Sequence, residues 1–128
     1  MARAAEKLKL AQKHLDRVRV AWTEPTDWED LFLYGFYCLE AAVEAAAIHF
    51  KLGTSRKHWE KVEIASKLHK KKGLPDVTEL LRDLNEARKA AAYGDIPLPE
   101  LDAEDIASEI QEYVDAVEAV LTAGSNDE

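Results

Sequence analysis

The sequence predicts an all-α protein, an up-and-down bundle of four to five helices. Three observations predict it. Leu31 to Phe50 is a run of 20 residues in which only Glu40 and Glu44 are charged. On either side of that run apolar residues recur every three or four positions, the helical period. No stretch alternates with the period of two that a strand requires.

Ala4, Leu8, Ala11, Leu15, Val18 and Trp22 form the stripe of a first helix, which Thr23-Glu24-Pro25 breaks. Thr26 to Glu29 has capping-box spacing and opens the second, central helix, with Gly53 as its left-handed stop. A helix apolar on most of its circumference needs neighbours on most sides, so this one belongs at the centre. A membrane span would have to hold Glu40 and Glu44 near mid-bilayer at about 2.5–3.5 kcal/mol each, which favours the buried helix. Ser55 caps a third helix from Arg56 to about Lys71, closed by Gly73 and Pro75. Asp76 to Glu79 repeats the capping spacing and opens a fourth, with Val77, Leu80, Leu81, Leu84, Ala87 and Ala91 on one face and Gly94 at its end. Asp95 to Pro99 reads as an extended connector, because each proline pushes its predecessor out of helical geometry. Asp102 caps the last helix, whose stripe is Ile106, Ile110, Tyr113, Val114, Val117 and Leu121. One domain, 1–122, carries the fold, and 123–128 reads as a disordered polar tail.

A chain of 128 residues buries an adequate core without disulfides or metal. The single cysteine, Cys38, lies in the apolar run as a small buried hydrophobe, and with no signal-peptide layout the expected compartment is the cytoplasm. The net charge of −8 argues against a general nucleic-acid coat, yet the charge is segregated. Residues 1–22 hold six basic and two acidic residues, and residues 56–72 hold seven basic and two acidic. Residues 95–128 hold eleven acids and no Lys or Arg, so a basic face and an acidic face are expected.

The signatures of phosphate loops and zinc sites are absent, and no cofactor or metal is expected. Two stretches carry possible chemistry. Arg56, Lys57 and His58, with Lys70, Lys71 and Lys72, make a basic set able to neutralise phosphates; the last three also suit a helix C-terminus simply through its dipole. Within this stretch Trp59 and Val62 are expected to face the core. The other stretch, Leu84 to Asp95, holds Arg88, four residues, then Tyr93. Glu40 and Glu44 share one stripe. They either face solvent or flank Arg88 and position its guanidinium.

With the alanine- and tyrosine-rich helix 33–50, a helix carrying Arg88 and a following ring, and an acidic-capped last helix, the chain resembles the HEPN superfamily over nearly its whole length. The resemblance implies a helical bundle that usually dimerises. Active members are metal-independent ribonucleases with Arg, four to six residues, then His, paired across the dimer. In such a site His serves as general acid/base and Arg as phosphate clamp. Here Tyr93 stands in the histidine position, with Arg88 retained and Asp95 as a supporting residue. Tyrosine titrates near 10, about three units from where a neutral-pH base works best. The expectation is a homodimer that binds RNA, a nucleotide or a partner protein, with weak or no nuclease activity. The resemblance further suggests a toxin–antitoxin or defence setting and a nucleotidyltransferase-type partner. The alternatives are an active metal-independent ribonuclease, with His58 or His69 supplying the base, and a purely structural dimerisation module.

Overall fold

The computed structural model describes residues 2–23, 25–53, 57–94 and 102–126, and among these all regular structure is helical. The five helices are α1 (Ala2–Trp22), α2 (Trp28–His49), α3 (His58–Lys72), α4 (Thr78–Ala92) and α5 (Ala103–Asn126). The last helix runs past 122 to Asn126, into the stretch the sequence assigns to a tail.

Helix α2 packs against each of the other four. By length and composition it resembles a membrane span, but 67% of its apolar window is buried inside the fold, as a central core helix requires. Small residues set how close its neighbours come. Cys38 Sγ lies 3.2 Å from the carbonyl oxygen of Ala11 on α1, a contact that needs two backbones in close approach. Burial pushes that thiol up to about 12, so it is inert at neutral pH, as a buried hydrophobe should be. At Gly35 an added Cβ would lie 3.0 Å from Ile110 Cδ1 and 3.5 Å from Leu84 Cδ1, so α4 and α5 both close on α2 there.

Helix directions follow from the cross-helix contacts. Lys7 pairs with Glu44, and His14 and Arg17 stack on Tyr37 and Tyr34, so α1 runs antiparallel to α2. Arg19 donates to Gln111, while Gln12 shares a groove with Glu118, so α1 is antiparallel to α5 as well. Helix α3 departs from the predicted up-and-down order. His58 meets Phe36, Lys61 meets Glu40 and Glu44, and Lys72 meets Phe50, in ascending order on both helices. The two helices therefore run parallel. The start of α3 lies about 21 Å back along the axis from the end of α2, at 1.5 Å per residue. In this direction Lys61 meets the carboxylates of Glu40 and Glu44.

Local signals correct the sequence reading at three helix ends. The cap of α2 is Asp27, whose carboxylate accepts from Asp30 N at 3.1 Å, while the Thr26 hydroxyl turns back to the Trp22 carbonyl. The stop of α2 is Lys51, at φ 59°, rather than Gly53; Leu52 N–H donates to the Ala47 carbonyl around it, the hydrogen bond of a Schellman end. Helix α3 starts at His58 from Lys57, which has no side-chain cap bond, and the expected cap Ser55 lies outside the described residues. Gly73 and Asp102 act as predicted, the one left-handed at the end of α3, the other accepting from Glu104 N at 2.8 Å.

Lys51 is exposed and holds a conformation that costs a non-glycine residue about 1 kcal/mol. Lys51→Gly is expected to raise the unfolding free energy by about that amount, read as a shift of the urea midpoint at constant slope.

Candidate functional site

Helix α3 buries one stripe, Lys61, Val62, Ala65 and Leu68. Trp59 stands about 120° round the helix from Ala65, at 3.6 residues per turn. It is 58% exposed, so the expectation that it faces the core with Val62 is corrected. Lys61 is the unexpected member of that stripe. Its ammonium lies 3.2 Å from Glu40 Oε2 and 3.1 Å from Glu44 Oε1, and Glu44 also receives Lys7 at 3.0 Å. Burial alone would lower the Lys61 pKa; the hydrogen bonds and charges of Glu44 and Glu40 outweigh that and hold it above the usual 10.5. Glu40 and Glu44 thus face neither solvent nor Arg88. They clamp the buried lysine.

The N-terminal end of α3 meets α4 over one aromatic ring. Phe36, buried on α2, has the His58 ring 5.5 Å from its centroid and the Arg88 guanidinium carbon 4.4 Å from it. A cation over a ring face at that distance contributes about 0.5–2 kcal/mol. Two nitrogens at this junction, His58 Nδ1 and Arg88 Nε, are buried with no hydrogen-bond partner among the described residues. One turn earlier on α4, Asn85 is buried with its Oδ1 likewise unpaired among them. A buried polar atom left unpaired costs about 1–3 kcal/mol, more where the group is charged.

Burial holds the His58 imidazole below the ordinary 6.5; nearby Glu40 opposes that shift, while Lys89, Arg88 and Lys61 add to it. His58 is therefore neutral at pH 7, able to accept a proton. Beside it His58, Trp59, Val62, Glu63 and Arg82 line an open cleft of about 210 Å³. Tyr93 follows α4 as its C-cap and is 89% exposed. Its ring is presented to solvent.

The structure divides the basic set. Lys57 and His58 lie at the Arg88 end of α3, whereas Lys70, Lys71 and Lys72 lie at the other end, about 20 Å away by helical rise. Lys72 Nζ sits over the Phe50 ring at 4.9 Å. His69 Nδ1 donates to the Leu74 carbonyl at 2.8 Å, which ties down the turn before α4 and leaves His69 far from Arg88. Arg56 and Asp95 lie outside the described residues. On the opposite side α5 carries only acidic charges, and burial followed by Asp105, Glu112 and Glu79 raises the Glu109 pKa, so the expected acidic face exists. Among the described residues no group of three metal-ligating side chains converges.

Comparisons with protein-family models, with curated proteins and with solved structures find no match to the chain.

Two outcomes follow from these charges. Lys61→Met leaves the mostly buried Glu40 without a counter-ion and Glu44 with Lys7 alone, and is expected to cost about 2–4 kcal/mol in denaturant unfolding; adding Glu40→Gln and Glu44→Gln recovers part of it. His14, like His58, is held below 6.5, first by burial and then by Lys13 and Arg17. A histidine depressed in the folded state stabilises above its unfolded value of 6.5, and that contribution is lost as pH falls through the folded value. Acidification from neutral pH is therefore expected to lower the melting temperature of the wild type more than that of His14→Gln/His58→Gln.

Proposed function

We propose that the chain is a HEPN-like cytoplasmic homodimer that binds a phosphate-bearing ligand, RNA or a nucleotide, at the junction of His58 and Arg88, with little or no nuclease activity. The observation that carries this is the pair itself. Side chains from two helices lie against one buried ring, each with a buried nitrogen that has no acceptor among the described residues. A guanidinium is the side chain whose donor geometry matches a phosphate best. Lys89 on the next position of α4 adds positive potential, and Lys61 does not compete for the ligand because its charge is already spent on Glu40 and Glu44. The toxin–antitoxin or defence setting, and a nucleotidyltransferase-type partner, rest on the family likeness alone.

A metal-independent ribonuclease is the second reading, and the position of His58 favours it over one centred on Tyr93. A neutral imidazole can take the 2′-hydroxyl proton as that oxygen attacks phosphorus. The 5′-oxygen then leaves, a 2′,3′-cyclic phosphate forms, and Arg88 offsets the charge on the phosphoryl oxygens.

Fluorescence anisotropy with labelled RNA tests the binding reading. Affinity is expected to fall as salt rises from about 50 to 200 mM. Arg88→Gln is expected to weaken binding about 10–100-fold with helical content unchanged. Binding indifferent to Arg88→Gln and His58→Gln refutes the site and leaves the purely structural module. Intact RNA after long incubation refutes the ribonuclease; cyclic-phosphate ends that vanish in His58→Gln and persist in Tyr93→Phe establish it.

A further inference from the structure

We infer that the exposed ridge of α3 is a track for single-stranded nucleic acid, joining the His58–Arg88 junction to the lysines at the helix's other end. The inference rests on the phosphate-binding reading above and adds the form and length of the ligand. Trp59, Glu63, Lys67 and Lys70 succeed one another at steps of three or four along α3, and all four are exposed. They form one continuous line on the helix surface. Cations stand at both ends of the line, with Arg88 and Lys89 at the near end and Lys70 and Lys71 at the far one.

The middle of the ridge selects the class of ligand. Trp59 presents an indole face at 58% exposure beside the cleft it shares with Glu63 and Arg82. An exposed ring between phosphate-binding groups is a stacking platform, and it needs a base whose face is free; in a duplex both faces are covered by neighbouring pairs. Glu63 repels a phosphate but accepts hydrogen bonds from the exocyclic amines of bases, so the strand must lie here with its bases toward the helix. An acidic polypeptide would meet only repulsion at Glu63.

The far lysines are favoured at a helix C-terminus by its dipole, but that effect does not use their outward charge. Lys72 is drawn onto Phe50, whereas Lys70 and Lys71 stay exposed. From His58 to Lys71 the helix rises about 20 Å, which matches about six nucleotides at a stacked spacing of 3.4 Å. A ligand shorter than that engages one end only.

Fluorescence anisotropy on the full chain decides the point, with labelled oligocytidylates about three and twelve nucleotides long and an oligodeoxycytidylate pair run alongside. The variant is Lys67→Gln/Lys70→Gln/Lys71→Gln, three exposed positions, with circular dichroism as the check that the fold is kept. The long strand is expected to bind the wild type at least about tenfold tighter than the short one. The triple variant is expected to lose that advantage, to keep the affinity for the short strand, and to flatten the salt slope of the long strand by about two. Equal affinities for the two lengths, or a triple variant that binds the long strand as the wild type does, overturn the track and leave the His58–Arg88 site standing. Displacement of the long strand by poly-glutamate at matched charge overturns it in favour of an acidic protein partner. No binding of either length overturns both readings.

Discussion

Glu40 and Glu44 give the central helix a stripe that no apolar helix can cover, and Lys61 covers it. An ammonium buried on α3 is tolerable only where carboxylates meet it, and two carboxylates one turn apart are tolerable only with a cation between them. This mutual need orients α3. It brings the third helix back along α2 and sets it parallel, where a simple up-and-down order would have run it antiparallel. Lys7 on α1 joins the same carboxylates from the other side, so three helices are tied by one charge network. The rest of the packing is apolar, and α2 supplies most of its centre.

The direction of α3 in turn creates the candidate site. Had α3 run the other way, His58 would lie near Phe50 and the lysines near Arg88. Instead His58 falls on Phe36, where Arg88 arrives from α4, and the imidazole and the guanidinium share a buried ring. Each has a buried nitrogen with no partner among the described residues. The structural network and the binding face are therefore linked, since the clamp on Lys61 holds the residue three positions before it in place. Tyr93, at the C-terminal end of α4, is solvent-exposed and takes no part in the cluster on Phe36.

Much of the fold was legible. Helix number and most boundaries follow from periodicity, and Gly73 and Asp102 end and start their helices for the reasons their residue types suggest. Lys51 shows the limit of such reasoning. Glycine is the usual left-handed residue, but the last apolar turn of α2 and the position of Leu52 impose the stop two residues earlier, at a lysine. Lys61 was readable in principle, as a lysine on an apolar stripe facing a chain with two glutamates on another. Pairing them required knowing which stripes meet. Trp59 misleads for a simpler reason: large apolar residues are usually buried, yet helical phase turns this one outward.

By itself the sequence determined the all-α class, the central place of residues 28–49 and the separation of acidic from basic charge. Those properties depend on local period and composition, which the chain carries from one residue to the next. Tertiary structure alone decided the parallel course of α3, the employment of Glu40 and Glu44 by Lys61, and the meeting of His58 with Arg88. Each of these joins residues on different helices or turns on the direction of a helix. The energy that settles them, pairing of buried charge and closure of a common core, exists only once the helices have met.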